Sequence, residues 1–194
     1  MPEIMPLNLN EAPAPPVLPS QYSVATFGLM HGDWSDGRFY YDYDNQQARV
    51  DATYNGGFLS MVFDYNTNHG YTMTTFRDQV YCDSFPLMMP LNPPTYLNMY
   101  AFAGIAVLPE HGLTYVWESQ RPGPQVFTFT DAETGEVLVN VSDKYFLGYF
   151  DYQDGLPHDM FSYLPSQCTD APTLPEEASA ARSLAQSIIN TFAR

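Results

Sequence analysis

Residues 47–66 read QARVDATYNGGFLSMVFDYN, and the architecture of the whole chain can be argued from them. From Gln47 to Tyr54 apolar and polar residues alternate. Ala48, Val50, Ala52 and Tyr54 fall on one side, and Arg49, Asp51 and Thr53 on the other. From Gly57 to Asn66 the alternation resumes, with Leu59, Met61, Phe63 and Tyr65 together. A period of two is the mark of a half-buried strand, because successive side chains point to opposite faces of a sheet. Between the two runs stands Asn55-Gly56, a pair that tolerates the positive φ angles of a tight type I′ turn. The stretch therefore predicts a β-hairpin.

The same pattern extends to both sides. Arg38 to Tyr43 puts Phe39, Tyr41 and Tyr43 on one face, after a predicted turn over Asp33-Trp34-Ser35-Asp36-Gly37 and an early strand over Tyr22 to Leu29. Downstream, Asn66 to Gly70 reads as a turn and Tyr71 to Arg77 as a strand. Leu113, Tyr115 and Trp117 form the apolar face of another strand, ended by Pro122-Gly123-Pro124. Phe127 and Phe129 mark the next, and Asp131 to Gly135 is a turn. Val137, Val139 and Val141 then share a face, with Leu138 and Asn140 opposite. Tyr145 to Tyr152 is aromatic on both faces. About nine to eleven strands follow from this pattern. Short connections make the sheet mainly antiparallel. Pro86, Pro90, Pro93 and Pro94 predict a loop, and residues 97–108 fit a helix and a strand equally well.

The ends differ from the middle. Residues 1–20 hold six prolines and read as an extended arm. Residues 21–170 form the β body. Residues 171–194 read as a linker and an amphipathic α-helix, with Thr173 and Glu176 spaced as a capping box. The chain has 194 residues, which suits one domain with tails. Its formal net charge of −15 disfavours nucleic acid and anionic membrane surfaces as partners, since both need a positive face. No apolar run reaches the roughly 18 residues of a membrane-crossing helix. The first 20 residues lack the basic and apolar regions of a signal peptide, so an exported protein is expected to be in its mature form here.

No motif of covalent or metal-dependent catalysis stands out. His31, His69, His111 and His158 all sit in predicted turns, and HExxH, HxH and GxSxG are absent. The carboxylates Asp33, Asp36, Asp42, Asp44, Asp131, Asp151, Asp154 and Asp159 cluster near turns, which Asp initiates well. Such loops could also hold calcium, although none fits a 12-residue EF-hand loop. A carboxylate pair of the kind glycosidases use cannot be measured from sequence. Gly32-Asp33-Trp34 matches the G-x-W of lipocalins, an alternative binder of small ligands. Asn140-Val141-Ser142 is an N-glycosylation sequon, with Asn140 opposite the valines and expected to face solvent. Cys82 and Cys168 form no CxxC pair, leaving either a disulfide or two free thiols. Thirteen Phe, 15 Tyr and 9 Met could fill a core, or line a concave apolar site.

The order of several stretches resembles the ependymin-related proteins. Tyr41 to Val50, YDYDNQQARV, is similar to that family's "YD…NQRVR". A lone Cys82 before a proline-rich loop follows, then a strand with Trp117, and finally Phe161 to Cys168, similar to an ending "F-x-x-P-x-x-C". The likeness covers about residues 20–170. An N-terminal cysteine of the family has no counterpart here. The resemblance implies two stacked, curved antiparallel sheets enclosing an apolar pocket, half-barrel-like and similar to bacterial lipoprotein carriers. It implies a Cys82–Cys168 disulfide and, with it, an oxidising, secreted or endolysosomal location. It also implies calcium association, glycosylation and a homodimer.

The resulting expectation is a non-enzymatic carrier of a hydrophobic, lipid-like ligand held between the sheets. Strand parity nominates Phe39, Tyr41, Leu59, Met61, Phe63, Tyr115, Trp117, Phe127 and Phe129 as core or pocket residues. A calcium-associated adhesive glycoprotein without ligand is the second reading, and a carboxylate-pair hydrolase the third. No metal site can be named, and no cofactor is required.

Overall fold

A computed structural model of the chain describes residues 12–30, 33–54, 57–76, 79–120, 125–157, 159–161 and 168. Eleven strands are present: β1 (Gln21–Met30), β2 (Asp33–Asp42), β3 (Gln47–Tyr54), β4 (Gly57–Asp64), β5 (His69–Phe76), β6 (Gln79–Pro86), β7 (Tyr100–Leu108), β8 (Gly112–Ser119), β9 (Phe127–Asp131), β10 (Val137–Val141) and β11 (Tyr145–Asp154). They form one antiparallel sheet in the order β6-β5-β4-β3-β2-β1-β11-β10-β9-β8-β7. The sheet is open, with β6 at one edge and β7 at the other. Hydrogen bonding joins all the described strands into this one sheet. The arm over 1–11 and the helix expected within 171–194 lie outside the described residues, as do Asn55-Gly56, Pro122-Gly123-Pro124, His31, Gly32 and His158.

The expected elements are present with four adjustments. The stretch from Asp33 to Gly37, expected as a turn, is the first half of β2, because its ladder with β1 continues to Met30 opposite Asp33. Residues 97–108 resolve into a short 3-10 turn over Tyr96–Met99 and then β7. The β-branched and aromatic residues of β7 favour the pleated surface, and its register shifts between Phe102 and Gly104, where Gly104 takes a φ of 144°. β6, with Cys82 in its middle, is a strand that alternation does not announce. The bulge between Val137 and Val139 breaks the expected valine stripe: Val137 pairs with Thr130, whereas Val139 and Val141 pair with Phe129 and Phe127.

The chain packs as two compact units. One joins Ser20–Leu91 to the described residues from Phe150 onward; the other joins the described residues up to Pro19 to Asn92–Tyr149. In the first, consecutive hairpins make a β meander. Tyr54 pairs with Gly57, the register a two-residue turn demands, so Asp51 falls opposite Ser60 and Ala52 opposite Leu59. One face then carries Tyr22, Val24, Phe39, Tyr41, Ala48, Val50, Ala52, Leu59, Met61 and Phe63, all buried. The other carries Arg38, Tyr40, Arg49, Asp51, Ser60, Val62 and Cys82. Ser60 and Val62 are also buried, so β4 is covered on both sides.

The end of β11 and the described residues beyond it are anchored on this second face. Arg38 pairs with Asp151, the Arg49 guanidinium donates to the Met160 carbonyl at 2.8 Å, and Cys82 is bonded to Cys168 with Cα atoms 5.3 Å apart. These three anchors lie on β2, β3 and β6.

In the second unit, Leu113, Tyr115 and Trp117 share a face as expected, opposite Val107, Ile105 and Phe102. Val116 pairs with Phe129, and with Ala106 these make a small core, flanked by Phe127, Val139 and Val141. Phe127 and Phe129 are therefore on the opposite face of the sheet from Tyr115 and Trp117.

Candidate functional site

Five of the nominated residues come together. Phe39, Tyr41, Leu59, Met61 and Phe63 line one face of the first unit across β2 and β4. Leu59, Met61 and Phe63 are 0% exposed. Tyr22 joins them, its ring 5.0 Å from Tyr41, 6.3 Å from Phe39 and 5.7 Å from Tyr152. Burial pushes the Tyr41 hydroxyl well above its ordinary value, reinforced by Tyr43 and Asp44, so it stays neutral. Phe63, Gly70 and Phe85 are in line on this face. The Phe85 ring lies over Gly70, where a Cβ would come within 2.3 Å of it, and meets Phe63 edge-on at 6.0 Å. The hydroxyl of Thr74, opposite Leu59 on the same face, is buried without a hydrogen-bond partner among the described residues.

The other four nominated residues belong to the second unit and divide between its two faces. Trp117 is buried, edge-on to Phe102 at 5.5 Å, and its Nε1 donates to Thr130 Oγ1 at 2.9 Å. Tyr115 stands on the same face, edge-on to Phe102 at 5.9 Å. Phe127 and Phe129 pack against Val116 and Ala106 on the far face. Thr128 Oγ1 donates to Asn140 Oδ1 at 2.7 Å, and Asn140 Nδ2 donates to Tyr149 OH at 2.9 Å. Asn140 stands opposite its neighbouring valines, as expected, but its side chain is half-buried and hydrogen-bonded rather than turned to solvent.

The opposite face of the first unit holds a groove of about 340 Å³. Its lining includes Thr26, Gly37 and Ala52 together with Asp36, Arg38, Asp51, Phe58 and Phe150. At Gly37 β2 and β3 approach so closely that a Cβ would lie 2.1 Å from the Asp51 carbonyl oxygen. Arg38 Nη1 donates to Ser23 Oγ at 3.0 Å while Nη2 pairs with Asp151. Arg49 Nε donates to Asp51 Oδ1 at 2.8 Å, which also accepts from Ser60. Alternation separates Arg49 and Asp51 from the apolar face but does not by itself place Asp51 opposite Ser60 and Arg38. Counting outward from the turn after Tyr54 gives Ser60, and the connection over residues 43–46 gives Arg38.

The acidic turns use their carboxylates locally. Asp131 Oδ1 accepts from the backbone N–H groups of Thr134 and Glu133 at 2.7 and 2.8 Å, which holds its carboxyl below the ordinary carboxylate range. Asp42 accepts from the backbone and side chain of Asn45 in a similar way. Among the described residues, no three His, Cys, Asp or Glu side chains gather as a metal site, and no helix is long and apolar enough to cross a membrane.

No protein-family model and no curated protein matches the chain. Among solved structures it is similar to an uncharacterized conserved protein from Thermus thermophilus, with a TM-score of 0.55 and 14% identity over 80% of this chain and 90% of that one. It also aligns with two structures of PNGF-II at TM-scores of 0.39 and 0.40 and identities of 8% and 7%. These cover 86% and 74% of this chain but only 33% and 30% of those. The PNGF-II alignments are too slight to build on. What the Thermus likeness shows is a shared fold.

Proposed function

We propose that the chain is a non-enzymatic binding protein that takes up a hydrophobic, lipid-like ligand against the apolar face of β1–β5. The observation that carries this reading is the composition of that face. Side chains from Tyr22 to Phe63 make a continuous apolar layer over four adjacent strands, and one buried hydroxyl, Thr74, has no partner within it among the described residues. A buried unpaired hydroxyl costs about 1–3 kcal/mol, and a ligand with a long apolar body and one polar group would relieve that cost. The driving force is removal of ligand surface from water, about 25 cal/mol per Å², less the cost of association and of opening a closed face. On this reading one apolar molecule is held by Phe39, Tyr41, Leu59, Met61 and Phe63. Enclosure of the ligand between two β layers and a secreted location form part of the same proposal.

Native mass spectrometry of the purified, disulfide-intact chain tests it. A co-purifying mass of a few hundred daltons, lost on denaturation, is the expected result. A chain that stays empty after incubation with C16–C18 acids and alcohols contradicts it.

A further inference from the structure

The groove on the opposite face of β1–β4 presents a different chemistry. Phe27 and Phe150 stand with ring centroids 5.9 Å apart and are 41% and 48% exposed, and Trp34, on the same face two residues before Asp36, is 61% exposed. Phe27 and Phe150 thus form a partly exposed aromatic pair, with Trp34 exposed on the same face, and exposed apolar surface that gathers in one place marks a binding role. The groove beside them, about 340 Å³, is the size of a small-molecule site.

Charge selects the occupant. The Arg38 guanidinium is already held by Ser23 and Asp151, and Asp51 is held by Arg49 and Ser60. Asp36 lines the groove at an exposed position, between Phe27 on β1 and Thr53 on β3. Counting Asp36, Asp51 and Asp151 against Arg38 and Arg49, the site carries one net negative charge, within a chain of −15. An anionic ligand is repelled at such a site, whereas an aromatic ring face and a carboxylate both attract a cation.

We infer that this groove binds a small organic cation, an ammonium bearing an apolar group, with the apolar group on Phe58 and Phe150 and the ammonium at Asp36. The inference does not rest on the carrier reading: it uses the other face of the sheet and a ligand of different charge and size.

The test is saturation-transfer NMR on the full, disulfide-intact chain with two probes of similar shape and opposite charge, benzyltrimethylammonium and phenylacetate. The cation binds with a Kd of about 1 mM and at least about tenfold more tightly than the anion. Asp36→Asn and Phe150→Ala each weaken it about fivefold, while thermal unfolding is unchanged in Asp36→Asn, whose side chain is exposed. Equal binding of the two probes, or binding unaltered in both variants, overturns the inference. So does binding of an oligolysine peptide without binding of the small cation, which would make the groove a protein-docking surface. Stripping apolar ligand with organic solvent does not change these results, so failure here and failure of the carrier reading register separately.

Discussion

Gly70 shows how one side chain, or its absence, sets the apolar face. Phe85 occupies the space that a Cβ at position 70 would need. Gly70→Ala displaces that ring from Phe63, and we expect a loss of about 1–2 kcal/mol in urea unfolding, partly recovered in Gly70→Ala/Phe85→Leu. Thr74 works in the other direction. Thr74→Val removes a buried hydroxyl that has no partner among the described residues, so the ligand-free chain should gain about 1 kcal/mol, and on the carrier proposal apolar ligands with a polar head should lose their advantage over ones without. Burial also raises Tyr65 and Tyr145 to about 12, from an ordinary value of 10.0. Between those values the unfolded chain releases protons that the folded chain keeps. The contribution of these two groups to stability is therefore full below pH 10 and falls as pH rises toward 12. Absorbance at 295 nm should show these two tyrosines ionising together with unfolding, and a separate, earlier ionisation would refute their burial.

The strands are legible in the sequence wherever a turn of known length fixes their pairing. In β2, β3 and β4 the parity of Phe39, Val50 and Met61 follows from alternation and from Asn55-Gly56, and the register agrees. Parity fails in β9 and β10. Phe129 lies opposite Val116 rather than beside Trp117, and a bulge turns Val137 away from Val139. Neither the pairing offset across residues 120–126 nor a bulge leaves a local signal in alternation. β6 is hidden for a related reason. Only Cys82 in it is buried, so its sequence carries little apolar period. At this level the Cys82–Cys168 bond is the feature to perturb. It joins residues 86 positions apart, so Cys82→Ser/Cys168→Ser should lose about 4 kcal/mol and lower Tm by about 8–16 °C in a thermal scan.

Across the whole molecule, the described strands make one open antiparallel sheet, and its first unit sets an oily face against a polar one in a chain with far more acid than base. The G-x-W shared with lipocalins does lead into a long strand, but eleven strands in an open sheet are not the closed eight-stranded barrel of that group. Out of reach of the sequence is which apolar residues only pack and which meet a ligand, since burial demands the same side chains of both. Met61 and Met73 separate the two. Met61 is fully buried on the apolar face of β4, and Met73, on the adjacent strand β5, points to the opposite one. Methyl NMR of methionine-labelled protein titrated with a C16 fatty acid gives both signals at once. The carrier account predicts a saturable shift of the Met61 methyl at one equivalent, with Met73 little changed. An unmoved Met61, or equal drift of both methyls without saturation, would contradict it.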